Sequence, residues 1–160
     1  MEGLTYKVAV FEDYEDFYKI KCDPENVKWS GFASAPNYDK MKNWFYQQIK
    51  EKKRSISLAY WNGDVCGFFY LDKLLYKDTE EIGYGVMTNF TGRGIGTALV
   101  EIGIKLCKAS ELIAWVSENN RASERCFEKN GFLKLLIKEQ RMMSYFTEPH
   151  AFYCWRRYTK

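Results

Sequence analysis

Gly92, Gly94 and Gly96 stand at alternate positions in NFTGRGIGTALV, residues 89–100, and the chain becomes apolar at helical spacing directly after them. The first N–H groups of a helix have no partner inside it, and the helix dipole puts partial positive charge there. Bare glycine backbone lets an anion approach those groups, so the chemistry this spacing offers is the binding of a phosphate or diphosphate. A tight connection that holds nothing would use the same glycines. Two common phosphate loops do not fit. A Walker loop requires Gly-Lys-Ser/Thr, whereas Gly96 is followed by Thr97-Ala98. A dinucleotide fingerprint counted from Gly94 meets Leu99 where its third glycine belongs. Glu118 lies where a ribose-binding acid would sit, but a three-strand meander before the loop is wrong for that fold.

The elements that must position this loop are visible in the hydrophobic pattern. Strands are expected over 4–11, 55–61, 65–74, 80–87, 112–116, 132–137 and 151–158, with Asn62-Gly63 as a hairpin turn. Helical spacing aligns Tyr14, Phe17, Tyr18 and Cys22 over 13–22, where Pro24 ends the run. It aligns Met41, Trp44, Phe45 and Ile49 over 38–52, and Ile95, Leu99, Ile102 and Leu106 after the glycines. A short helix over 120–130 is stopped by Gly131. Residues 22–37 show no clear period and read as irregular, with Trp29 and Phe32 in them. The order β-α-α-β-β-β-α-β-α-β-β describes one α/β (α+β) domain over 1–160, a mixed sheet with helices on its faces.

Composition narrows the class. The chain has 160 residues, 46% of them hydrophobic and 18% aromatic, so it is no disordered segment. Its net charge of +3 comes from 24 basic and 21 acidic residues without a basic run, which argues against a nucleic-acid partner. Lys50, Lys52, Lys53 and Arg54 read as the basic end of a helix. No apolar stretch has the length of a membrane span, and the start lacks a signal-peptide pattern. Cysteines 22, 66, 107, 126 and 154 are odd in number and scattered, as expected of reduced thiols in a cytoplasmic protein. His150 and Cys154 on one helix face would be too few for a metal, and none is expected.

Two segments together resemble the GNAT superfamily of acyl-CoA-dependent N-acyltransferases, whose loop runs Gln/Arg-x-x-Gly-x-Gly/Ala. Here it is Thr91-Gly92-Arg93-Gly94-Ile95-Gly96, with Thr91 in the first place. ENNRASERCFEKNGF, residues 118–132, resembles the family's Asn-x-Ala-Ser…Glu-Lys-x-Gly-Phe segment. It is most similar to the branch that acetylates the N-termini of ribosomal proteins. The resemblance implies a single GNAT-like domain of about seven strands, with a splayed central pair and four helices. It also implies acetyl-CoA as cosubstrate, an amine as acceptor, and a monomer or homodimer.

By the same resemblance, the diphosphate sits on the backbone N–H groups from Arg93 to Thr97, within the loop of Gly92, Gly94, Ile95 and Gly96. Arg93 adds a cation, or is a plain surface arginine. The strand before the loop parts from the next one and admits the pantetheine arm. Backbone groups of Val86 and Met87 bond to that arm, and the N–H near Val86 faces the thioester oxygen. Asn120 bonds the same arm, or caps its helix. An alkylamine with a pKa near ~10.4 is neutral in roughly one molecule in a thousand at pH 7, so a base is required. Glu80 and Glu81 are the candidates, and alternation lets only one face the cleft. In family members with a base on this strand, it lies an even number of places before the Val86 position. That parity favours Glu80, with Tyr84 on its face. Many members protonate the departing thiolate with a tyrosine, but Phe127 stands at that position. The serine given this part in the ribosomal-protein branch matches Ser123, for which helix capping is the alternative. Cys126 adjoins the site, where a covalent acetyl-cysteine route is the alternative to the ordinary packing role of a buried cysteine.

The acceptor is expected between the first two helices and the final hairpin. Segments 29–37 and 140–150 would wall it with Trp29, Phe32, Tyr145 and Phe146, suited to a sugar, a ringed drug or a cation. Asp13, Glu15 and Asp16 would attract a polyamine, or are a solvated helix start. The expected activity is N-acetyl transfer from acetyl-CoA to a primary amine by direct attack. The amine is a small molecule, an amino sugar, an antibiotic or a peptide N-terminus. The rival from another class is a non-catalytic acyl-CoA-binding sensor or docking module, favoured by Phe127 and Thr91. O-acyl transfer differs only in acceptor.

Overall fold

The computed structural model describes residues 1–75, 78–144 and 147–159. Its seven strands are β1 (Leu4–Val8), β2 (Arg54–Trp61), β3 (Asp64–Lys73), β4 (Thr79–Val86), β5 (Glu111–Ser117), β6 (Leu133–Arg141) and β7 (His150–Tyr158). They form one sheet in the order β1-β2-β3-β4-β5-β7-β6. Neighbours are antiparallel except β4 and β5. Asn62 and Gly63 both take left-handed angles, φ 50° and 91°, as the tight turn between β2 and β3 demands. His150 and Cys154 therefore lie on a strand and not on a helix.

Among the described residues five α-helices flank the sheet, one more than the sequence suggests: α1 (Tyr14–Lys21), α2 (Pro24–Trp29), α3 (Tyr38–Glu51), α4 (Ile95–Leu106) and α5 (Arg121–Lys129). The extra one is α2. Pro24 does not merely end α1; it opens α2 at the first position, where a missing N–H costs nothing. Asp23 caps that helix by accepting from Glu25 N at 3.2 Å. The same carboxylate accepts from Thr88 N and Thr88 Oγ1, each at 2.9 Å, which ties α2 to the turn after β4.

The side chains of β2–β4 alternate between two cores. Ile56, Leu58 and Phe68 pack with Phe17, Ile20 and Phe45 under α1 and α3. On the other face Leu71, Ile82 and Leu112 pack with Val100, Phe127 and Trp155 under α4 and α5. Gly103 lets α4 lie against β4, because a Cβ there would stand 2.3 Å from Ile82 Cδ1. The consequence for function lies at the centre of the sheet. β4 and β5 pair only at Thr79–Glu111, Glu80–Leu112 and Glu81–Ile113. Beyond Glu81 and Ile113 the two strands separate, while β4 stays paired to β3 as far as Val86 and β5 to β7 as far as Ser117.

Candidate active site

The glycine loop opens α4 as its sequence requires. Gly92 and Gly94 take φ 75° and 79°, and Gly94 is the N-cap residue. Its carbonyl accepts from Ala98 N at 3.0 Å, so the N–H groups of Ile95, Gly96 and Thr97 have no partner earlier in the helix. Residues 91–94 are exposed, so this end of α4 is open to solvent. Arg93 reaches back to Asn89 O at 3.5 Å and lies over the Phe90 ring at 5.6 Å. Thr97 Oγ1 contacts Cys126 Sγ at 3.6 Å, joining the cradle to α5.

The register of β3 and β4 decides which backbone groups of β4 face the gap. Met87 N donates to Cys66 O at 2.8 Å, and antiparallel bonds recur at every second residue. Residues 81, 83, 85 and 87 therefore bond to β3, whereas residues 82, 84 and 86 turn toward β5. Met87 also accepts from Phe90 N through its carbonyl. Both of its backbone groups are thus engaged within the protein, so Met87 has no free N–H to offer the expected ligand arm. The N–H of Val86 is the one on the gap side. Its carbonyl accepts from Asn26 Nδ2 at 3.2 Å, so α2 steadies this end of the strand.

A cavity of about 490 Å³ runs through the gap. On the α5 side it is lined by Tyr84, Ser117, Asn120, Ser123 and Phe127, and on the α1–α2 side by Phe17, Trp29, Phe32, Trp44, Phe68 and Tyr70. The two expected wall segments meet, since Ser144 Oγ donates to Gly31 O at 2.6 Å and accepts from Ala33 N at 3.1 Å. Tyr145 and Phe146 lie outside the described residues.

Of the two glutamates, Glu81 lines this cavity. Glu80 points to the other side, accepting from Lys108 N at 3.4 Å at the end of α4. The parity that favoured Glu80 puts it on the face of Ile82 and Tyr84, which pack toward α4 and α5, and puts Glu81 on the opposite face. Burial raises the Glu81 carboxyl, and Asp72 adds to that, while Arg141 and Arg54 oppose it. Asn120 lines the cavity and caps α5, its side chain accepting from Ser123 N at 3.1 Å. Ser123 is then a first-turn residue whose hydroxyl accepts from Tyr84 Oη at 3.2 Å.

Tyr84 is a functional candidate that motif matching passed over. Its ring packs edge-on against Phe127 at 5.8 Å, so β4 brings a phenol beside the position where α5 lacks one. Burial, with Cys126 nearby, drives its pKa upward and keeps it protonated. Arg54 and Lys21 were also missed. Arg54 does not extend the basic end of α3. It begins β2, lines the cavity, pairs with Asp72 through Nε at 2.7 Å and stacks on Tyr70 at 4.0 Å. The acids near α1 are used elsewhere: Asp13 holds Lys7, Glu15 accepts from Tyr38, and Asp16 accepts from Tyr60 at 2.9 Å. None of the three lines the cavity, so the polyamine reading loses its acids.

Among curated proteins, none matches this chain in sequence. Its fold is shared with solved structures over nearly all of its length. A ribosomal-protein-alanine N-acetyltransferase from Brucella melitensis covers 96% of this chain with 99% of its own, at 18% identity and TM-score 0.81. A spermidine N-acetyltransferase from Vibrio cholerae, solved with CoA and spermine, covers 99% with 97%, at 10% identity and TM-score 0.86. A Salmonella typhimurium structure with its cofactor acetyl-CoA covers 99% with 95%, at 17% identity and TM-score 0.77. The model of the acetyltransferase (GNAT) family matches residues 9–132. That span takes in the open helix end, the parted strands and α5, and this chain belongs to the acetyltransferase (GNAT) family.

Proposed function

We propose that this protein transfers the acetyl group of acetyl-CoA to a primary amine by direct attack. The observation that carries the reading is the parting of β4 from β5 beside a helix opened by glycines, with Glu81 in the cavity behind it. The diphosphate rests on the N–H groups at the start of α4, between Arg93 and Thr97, and the pantetheine arm lies along the free edge of β4 near Asn120. The thioester oxygen meets the N–H of Val86, where charge develops during attack. Glu81, held above the usual carboxylate range by burial, takes a proton from the bound ammonium. The amine nitrogen then bonds to the carbonyl carbon, and the C–S bond breaks as the tetrahedral intermediate collapses. Tyr84 turns its O–H from Ser123 to the sulfur and protonates the departing thiolate, and the surplus proton on the acetylated nitrogen restores the phenol, so that the amide leaves neutral.

The sensor reading drew on Phe127 in place of tyrosine. A phenol and a perturbed carboxylate on the two sides of one cavity favour chemistry over binding alone. Calorimetric titration with acetyl-CoA, followed by thiol release across an amine panel, tests the reading. Saturable binding with amine-dependent thiol release is expected. Binding without release on any amine would leave only the sensor, and no binding at millimolar acetyl-CoA would overturn both.

A further inference from the structure

The acceptor side of the cavity carries an imbalance of charge. Its lining holds three cations, Lys21, Arg54 and Arg141, against one carboxylate, Glu81. Arg54 is offset by Asp72 and Arg141 by Glu139, at 2.9 Å. Lys21 has no carboxylate partner among the described residues. Its Nζ donates to the neutral Ser30 Oγ at 2.7 Å and lies over the rings of Phe68 at 5.0 Å and Phe32 at 5.9 Å. The ring faces attract the ammonium, but its loss of water and the neighbouring Arg54 count against the charge, and no carboxylate offsets them. Desolvation, with Arg54 next to it, accordingly pulls Lys21 down to about 8. An anion bound beside it would favour the charged form.

From the shared lining of Lys21, Glu81 and the aromatic walls, we infer that the acceptor is a small amine that also carries an anionic group, a carboxylate or a phosphorus oxyanion. The amine lies at Glu81 and the anion at Lys21. The amine end rests on the acetyl-transfer reading; the anion end rests on Lys21 alone. Phe17, Trp29, Phe32 and Trp44 enclose the body between them, which suits an apolar or aromatic side chain. A volume of about 490 Å³ is that of a small-molecule site. A polyamine, cationic along its length, would set ammonium groups against Lys21 and Arg54.

The test uses matched pairs: the apolar and aromatic amino acids against their decarboxylated amines, and aminophosphonates against the same amines. Initial rates with saturating acetyl-CoA are measured for the wild type, Lys21→Met and Lys21→Arg. A hydrogen bond to a charged group contributes about 1.5–3 kcal/mol, so the anionic member of a productive pair should lead in kcat/KM by ~10–100-fold. Lys21→Met should bring that ratio to within about threefold of one, and Lys21→Arg should restore most of it. Which arm shows the effect tells carboxylate from phosphonate. Decarboxylated amines or unblocked peptides that equal or outpace the acids would overturn the inference. So would a Lys21→Met loss shared equally by both members, which would place Lys21 in proton transfer. Should no amine be acetylated, calorimetry with the same pairs on the CoA-saturated protein decides separately. Tighter binding of acids, lost in Lys21→Met, keeps the anion site while the transfer reading falls; equal or absent binding removes the site.

Discussion

Glu81 and Glu80 are adjacent and chemically identical, and the sheet alone separates their fates. Glu81→Gln should lower kcat/KM by ~10²–10⁴-fold, the usual contribution of a positioned base. Glu80→Gln should change it less than about threefold. The pH profile follows from the sign of the shift. Burial and Asp72 raise Glu81, with Arg141 and Arg54 opposing and Glu139 adding, so the base is lost as pH falls through a value above the usual carboxylate range. A raised acid also costs stability once ionised: the native state holds its proton longer than the unfolded chain, so stability declines as pH rises through that window. Glu81→Gln should therefore leave Tm at pH 7 unchanged or higher while activity falls. A coincident loss of both would show that Glu81 is structural. Tyr84→Phe should slow turnover without altering acetyl-CoA affinity, as expected if the phenol acts on the leaving group alone.

At the scale of elements, the account turns on α4, β4 and α2. Gly94 is held at φ 79°, and a Cβ there would meet the flexible end of Met1 at 3.3 Å, so Gly94→Glu adds backbone strain of about 1–2 kcal/mol and places an acid at the cradle. Acetyl-CoA affinity should fall at least ~100-fold by calorimetry with the circular dichroism unchanged. Amide exchange tests the register: Val86 N–H should exchange fast and slow down with CoA, while Met87 N–H, bonded to Cys66 O, stays protected throughout. This is also where the sequence was hardest to read. The order of the seven strands, the Asn62-Gly63 turn and the glycine-opened helix follow from local pattern, which needs no knowledge of neighbours. α2 escaped because six residues are too few to show a period, although Asp23-Pro24 is a sound cap-and-first-turn signal. The choice between Glu80 and Glu81 needed the face of β4, set by packing of Ile82 on α4. Lys21, Arg54 and Tyr84 come from three separate elements that only the sheet brings together, so no spacing along the chain could reveal them.

For the whole molecule, one sheet holds two cores, and the cavity passes through the line where they part. Among the described residues no helix is long and apolar enough to cross a membrane. A cosubstrate that bridges β4, α4 and α5 should stabilise the fold as a unit. At 100 times its Kd, acetyl-CoA adds about 2.7 kcal/mol, which for a domain of this size raises Tm by roughly 5–10 °C. Dephosphorylated fragments lacking the diphosphate should give little of that shift. The most direct measurement is a crystal structure with coenzyme A. The account predicts diphosphate oxygens on the amides of residues 93–97 and a pantetheine arm bonded to Val86 in the open wedge between β4 and β5. A wedge closed by strand pairing, or coenzyme A seated on another face of the sheet, would contradict it.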